Sequence, residues 1–208
     1  MIKPNSTRLT GYAERYPRIT LIGMSGLGKS YWSKVLEAEG FKRFCCDDMI
    51  ADRLSDILTQ SDGKTIDLGE WMGFPYDAGY RDREKTYLAL EIEVLQEILA
   101  YLEVAESGER IVLDTTGSAP YAGESIMKRL AKSTAIIHLA TSEAYFSEML
   151  DRYIQHPRPV LWGDLFAREP LETDIEALGR SYEALLAFRD KLYKEYAHHT
   201  IPYEAHRI

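Results

Sequence analysis

The feature that most constrains this chain is the octapeptide Gly23-Met24-Ser25-Gly26-Leu27-Gly28-Lys29-Ser30, which has the spacing Gly-x-x-x-x-Gly-Lys-Ser. It lies between a short apolar run, Arg18-Ile19-Thr20-Leu21-Ile22, and a stretch of helical composition from Tyr31 to Glu39. A buried strand, a glycine-rich turn and a helix together form a phosphate-binding loop. Glycines let backbone N–H groups close around phosphate oxygens, and the helix N-terminus adds partial positive charge. In that arrangement Lys29 reaches the β- and γ-phosphates of a nucleotide and the Ser30 hydroxyl ligates Mg²⁺. Gly23, Ser25, Gly26, Leu27, Gly28 and Tyr31 complete the expected nucleotide contacts.

The rest of the chain alternates strand-like and helix-like segments. Phe41-Lys42-Arg43-Phe44-Cys45-Cys46 reads as a second strand ending in Asp47-Asp48, and either aspartate could cap a helix running toward Leu58. Leu88, Ile92, Leu95, Leu99 and Leu102 recur in steps of three and four and predict a long amphipathic helix that ends near Ser107-Gly108. Strands are expected at Arg110–Asp114, Ala135–Leu139 and His199–Ile201. Such alternation predicts a parallel sheet with helices on both faces. Residues 60–80 hold Gly63, Gly69, Gly73, Pro75 and Gly79, a glycine-rich loop of the length that usually serves function. Residues 1–16 read as a loosely held polar arm.

The 208 residues are 45% hydrophobic with a net charge of −8, enough for one substantial core. The overall field is wrong for nucleic acid, so anionic ligands must be met by locally placed Arg and Lys. The adjacent Cys45 and Cys46 cannot bridge if they continue a strand, and they read as small buried residues in a reducing compartment. With no run of 18 apolar residues and no signal-peptide core, the expected protein is soluble and cytosolic, without membrane partners.

Several residues suggest phosphoryl-transfer chemistry. Ile111-Val112-Leu113-Asp114 is an apolar strand ending in an acid, the form in which Asp114 holds Mg²⁺ directly or through water. Thr115, Thr116, Gly117 and Ser118 follow at the sheet's carboxyl edge, where ligands bind in open α/β folds. Of Asp47 and Asp48, one could accept a proton from an attacking hydroxyl while the other orients Mg²⁺. His156-Pro157-Arg158-Pro159-Val160, preceded by Arg152, is a basic, proline-stiffened segment after the fourth strand and its helix. An arginine there would stabilise the transferred charge and exclude water. His198 and His199 read as structural or exposed. Trp71, Phe74 and Tyr76 form either a hydrophobic plug or one wall of an acceptor pocket.

Together these residues resemble the shikimate kinase family of small P-loop kinases over most of residues 18–202. Tyr80-Arg81-Asp82-Arg83-Glu84 is similar to that family's Phe-Arg-x-x-Glu, with Gly69-Glu70 upstream. Arg158-Pro159-Val160-Leu161 resembles its lid sequence Arg-Pro-Leu-Leu. The stretch Tyr182–Tyr193 resembles the family helix in which an arginine precedes a tyrosine by four residues. The resemblance implies a three-layer α/β P-loop NTPase fold with a five-stranded parallel sheet and a mobile lid, in a single domain over 1–208. The acceptor segment would span 60–84 and the lid 152–170. It further implies ATP and Mg²⁺ as cofactors, Arg81 and Arg189 on the acceptor's carboxylate, and Arg152 and Arg158 over the nucleotide. Aligned through Ile50, the family's Asp-x-Asp puts Asp47 at the base position and Cys45 at the metal-side position, so Asp48 or Asp114 must serve the metal. The family's Gly-Gly-Gly after the third strand is here replaced by Asp114-Thr115-Thr116-Gly117-Ser118. The resemblance thus implies a kinase for a small hydroxylated anion, with shikimate expected to be a poor substrate. Competing expectations are a nucleoside or nucleotide kinase and a non-catalytic nucleotide-binding switch.

Overall fold

The computed structural model describes residues 9–156 and 158–207. Five strands, β1 (Arg18–Ile22), β2 (Lys42–Cys45), β3 (Ile111–Asp114), β4 (Ala135–Leu139) and β5 (His199–Ile201), form one parallel sheet in the order β2-β3-β1-β4-β5. The helices are α1 (Leu9–Ala13), α2 (Lys29–Ala38), α3 (Cys46–Arg53), α4 (Ser55–Leu58), α5 (Leu68–Met72), α6 (Tyr80–Val104), α7 (Glu124–Ser133), α8 (Phe146–Gln155), α9 (Asp174–Tyr196) and α10 (Tyr203–His206).

Side chains alternate across a strand, so a sheet covered on both faces needs apolar residues at consecutive positions. The central strands meet that need. Ile19, Leu21, Val112, Ile137 and Leu139 point into one core with Leu9, Leu36 and Phe41, while Ile22, Leu113 and Ile136 point into the other with Met127, Leu130, Leu178 and Leu185. The result is the expected three-layer α/β fold. Register places Cys45 and Leu21 beside Asp114, so the carboxyl ends of β2, β3 and β1 lie side by side. The phosphate-binding loop, α3 and the segment after β3 all leave the sheet at that edge.

Several local expectations are revised. Residues 1–8 of the expected arm lie outside the described residues. The remainder is not loose: α1 buries Leu9 and Ala13 against the sheet. β2 stops at Cys45, and Cys46 opens α3, so Asp47 and Asp48 sit in the helix's first turn and neither caps it. The two cysteines are free. Burial raises both thiols, Cys45 to about 12, so neither is a ready thiolate. Residues 60–80 are not plain loop: Thr65 bridges back to Thr59, and the segment carries α5, whose N-cap Asp67 accepts from the Glu70 N–H at 2.8 Å. The long helix α6 begins at Tyr80, a full two turns before the apolar stripe, so Arg81 and Glu84 are carried on its first turns.

Candidate active site

Gly23, Gly26 and Gly28 all have positive φ, and at Gly23 a Cβ would lie 2.6 Å from the Leu139 carbonyl oxygen. The loop's curvature therefore needs glycine there. Gly28 is the N-cap of α2 and no side chain caps that end, which leaves the first N–H groups of a ten-residue helix for an anion. Leu27 is buried in the core and anchors the loop, Ser25 is partly exposed, and Gly26, Ser30 and Tyr31 are exposed. The Lys29 ammonium is buried and donates to the carbonyls of Gly23 (2.7 Å) and Met24 (3.0 Å). Burial lowers its pKa, and the charges of Asp114 and Asp47 oppose that shift.

The two aspartates at the start of α3 differ sharply. Asp47 is partly buried, and the Tyr87 hydroxyl donates to its Oδ1 at 2.8 Å. Burial raises its pKa against the opposing effects of the Tyr87 hydrogen bond and the Lys29 charge. Asp48 is exposed and lies 3.7 Å from Arg43. Asp114 is buried at the end of β3, where its Oδ2 accepts from Arg43 Nη2 and from Ser33 Oγ, each at 3.1 Å. Oxygen donors of this kind, one hydroxyl and carboxylates, suit Mg²⁺. No group of three His, Cys, Asp or Glu side chains among the described residues forms a protein-only metal cage.

The segment after β3 differs from the expectation that its hydroxyls face a ligand. Thr115, Thr116 and Ser118 are buried, and their hydroxyls are satisfied within the protein. Thr115 Oγ1 donates to the Leu21 carbonyl at 2.7 Å, while Thr116 and Ser118 donate to the two oxygens of Glu91. Only Gly117 is left to front the site. Its carbonyl accepts from Arg189 Nη1 at 3.0 Å and from the Tyr193 hydroxyl at 2.5 Å. A Cβ there would lie 3.1 Å from Arg189 Nη1 and 3.3 Å from the Ser25 nitrogen. The phosphate-binding loop, the post-β3 segment and α9 therefore meet at Gly117.

Arg189 is 1% exposed and donates to Tyr121 Oη, Gly117 O and Leu161 O, and more weakly to Met24 Sδ at 3.7 Å. All of these acceptors are neutral, and no carboxylate lies within ion-pair distance of it among the described residues. Arg81 is more exposed. It pairs with Glu84 at 3.0 Å and donates to the Gly163 carbonyl at 2.5 Å. The two arginines thus grip the 161–163 segment from opposite sides. Tyr80 and Glu84 hold the same segment through the Val160 carbonyl and the Gly163 N–H. With Val160, Leu161 and Trp162 buried, the middle of the expected lid is anchored to α6 and α9.

Pro157 lies outside the described residues, but its neighbours Arg158 and Arg152 are exposed. They line a cavity of about 200 Å³ with Ser25, Gly26, Tyr153 and Tyr182, which opens directly beside the phosphate-binding loop. Arg152 also lies over the Tyr145 ring, 5.4 Å from its centre. Phe74 and Tyr76 stack on each other and pack edge to face or tilted against Tyr153 and Phe166. That contact joins the 60–80 segment to the lid, while Trp71 packs against the main core outside the stack. A larger groove of about 490 Å³, between Arg18, Lys132, His198 and His199, opens at the opposite edge of the sheet and shares no residue with this site.

Two residues central to this site were not singled out from sequence. Arg43 was read only as part of a strand. Glu91 is fully buried, and its carboxyl pKa is raised to about 7 by burial, against the Thr116 and Ser118 hydrogen bonds. Its signal was present, since Glu91 is four residues from Tyr87 and from Leu95 on the buried face of α6. An acid at a core position of an amphipathic helix demands partners.

No protein-family model matches the chain, and no curated protein does. Solved structures do. A shikimate kinase from Acinetobacter baumannii, in complex with shikimate, superimposes with a TM-score of 0.59 at 21% identity, covering 92% of this chain and 86% of its own. A shikimate kinase from Bacteroides thetaiotaomicron gives 0.56 at 19% identity, covering 88% and 84%. A dephospho-CoA kinase from Campylobacter jejuni gives 0.50 at 12% identity, covering 89% and 87%. The fold of this chain is that of the small P-loop kinases.

Proposed function

We propose that this protein is an ATP-dependent kinase that phosphorylates a hydroxyl of a small anionic metabolite. The observation that carries the reading is the pairing, across Gly117, of an uncapped phosphate-binding helix with a buried arginine that lacks an acidic partner. The direct hydrogen-bond partners of Arg189 are all neutral, with the Glu91 carboxyl acting on it from beyond ion-pair contact, and an anion bound beside it offsets the cost of burial. In a chain of net charge −8 such an arrangement has a ligand as its simplest cause.

In this reading Lys29 and the backbone from Gly23 to Ser30 hold the phosphates, with Tyr31 and Arg152 bordering the nucleotide. Ser30, with Asp48 and Asp114 nearby, would hold Mg²⁺, which neutralises phosphate charge when bound. Asp47 takes the acceptor's hydroxyl proton. Its raised pKa and its fixed orientation on Tyr87 suit a base better than the exposed Asp48 does. Arg189 and Arg81 read the acceptor's anionic group, and Arg158 contributes charge from the lid. Because Arg81 and Arg189 also hold residues 161–163, acceptor binding and lid position share the same guanidinium groups. Two of the three aromatic residues that would have stacked on a nucleoside base, Phe74 and Tyr76, are occupied with each other, which favours the metabolite reading. No helix among the described residues is long and apolar enough to cross a membrane.

The test is a screen with γ-labelled ATP of hydroxylated carboxylates, sugar phosphates and nucleosides, followed by identification of the labelled product. Transfer to an anionic alcohol is expected. Transfer confined to neutral nucleosides would replace the reading with a nucleoside kinase. ATP hydrolysis with no transfer to any acceptor would favour the switch protein.

A further inference from the structure

We infer that Arg43 is a positioning residue that holds Asp114 as its own counter-ion and so weakens that carboxylate's hold on the metal. The inference deepens the kinase reading and rests on it.

Arg43 is carried on β2, two residues before Cys45, and its guanidinium is only slightly exposed. It makes three polar contacts at once. Nε donates to Ser33 Oγ at 2.8 Å, Nη2 to Asp114 Oδ2 at 3.1 Å, and Nη1 lies 3.7 Å from Asp48 Oδ2. Ser33 closes the ring by donating to the same Asp114 oxygen at 3.1 Å. Two of the three groups assigned to the metal on sequence grounds therefore face a resident cation. Asp114 Oδ2 is thus engaged by a guanidinium and a hydroxyl, and the guanidinium charge offsets the negative charge with which either oxygen of that carboxylate would attract Mg²⁺. The position corresponding to a metal-side acid on β2 is Cys45, and a thiol is a poor partner for so hard a cation.

The consequence is measurable without turnover. Mn²⁺ bound to the protein in the presence of ADP is titrated by electron paramagnetic resonance in wild type, Arg43→Met and the double variant Arg43→Met/Asp114→Asn. Removing Arg43 frees Asp114, so Mn²⁺ should bind roughly tenfold or more tighter in Arg43→Met, because affinity of oxygen-ligand sites follows ligand charge. The double variant should lose that gain. A purely structural role for Arg43 would not tighten metal binding. Equal affinity in wild type and folded Arg43→Met overturns the inference and leaves the kinase reading standing. If Arg43→Met fails to fold, Asp114→Asn decides. A loss of less than about fivefold supports a carboxylate already offset by Arg43, and a larger loss shows Asp114 acting on the metal undiminished and overturns the inference. Absence of any Mn²⁺–ADP binding by folded wild type overturns the nucleotide-site reading, and this inference with it.

Discussion

Replacing Glu91 with glutamine should remove a pH dependence of stability that the wild-type chain carries. Glu91 is fully buried, and its pKa is about 7 against an ordinary 4.5. Burial is the main cause, and the Thr116 and Ser118 hydrogen bonds and the Arg189 charge oppose it, while the Asp47 charge adds to it. A carboxyl with a raised folded pKa contributes stability that is fully present below its unfolded value and is lost as pH rises through the folded value. Between about pH 5 and about pH 8 the loss is about 2.5 kcal/mol, from the linkage relation applied to those two pKa values. Urea unfolding of wild type and Glu91→Gln at the two pH values isolates this contribution, because every other titrating group is common to both. The wild-type minus variant difference should fall by about that amount on going from the acidic to the alkaline condition. Glu91→Leu is the control: it leaves two buried hydroxyls without their acceptor, at about 1–3 kcal/mol each, with no slope in pH. A wild-type minus Gln difference that is flat across the range, or that rises with pH, would refute the assignment of Glu91 as a carboxyl that titrates near neutrality.

Lys29→Ala should lower phosphoryl transfer on the order of 100-fold or more while far-ultraviolet circular dichroism stays native, since the ammonium bonds only to loop carbonyls. Asp47→Asn should lower kcat by about 10²–10⁴-fold with little change in ATP affinity, and Asp48→Asn should be mild; the reverse ranking in steady-state kinetics would move the base by one residue. Gly117→Ala should destabilise the fold by about 1–3 kcal/mol in thermal or urea unfolding, because the added methyl presses on Arg189 and the Ser25 nitrogen. Unchanged stability there would mean that the three elements at Gly117 can move apart.

The sheet was legible because its strands are short apolar runs separated by helices, and period and composition carry that information locally. The strand bounds of β1, β4 and β5 follow from it directly. The phosphate-binding loop was legible for a related reason, since three glycines and a lysine at fixed spacing have few other uses. What stayed hidden was direction. Thr115, Thr116 and Ser118 are hydroxyl-bearing residues at a ligand-facing edge, and sequence alone makes them ligand contacts. Whether a hydroxyl points outward or inward depends on a carboxyl 25 residues away, Glu91, and that pairing is tertiary. The same holds for Arg43, whose role appears only when register sets β2 beside β3 and brings Asp114 within its reach. The boundary between β2 and α3 was misplaced because Cys46 can serve as a strand residue or as the first residue of a helix.

Arg189 illustrates how far the site's parts depend on one another. The family resemblance makes it a reader of the acceptor's anion, and exchange for lysine is the obvious probe of that role. Its hydrogen bonds to Tyr121, Gly117 and Leu161 change what that exchange means. A lysine carries the charge but cannot donate in three fixed directions from one plane. Arg189→Lys would therefore loosen the post-β3 segment and the base of the lid together with any contact to an acceptor, and a raised acceptor KM alone would not identify a ligand contact. Arg81 is the cleaner probe, since its partners are the neighbouring Glu84 and one lid carbonyl on the exposed side of α6. An anion that draws Arg81 away from Gly163 would release the lid at its base. An anion that leaves Arg81 in place would be read by Arg189 alone, through the donor capacity that three neutral acceptors do not exhaust. The two cases differ in one respect that Arg81→Lys exposes: in the first, acceptor KM and the rate of lid-dependent product release change together, and in the second only the release rate responds while acceptor KM stays unchanged.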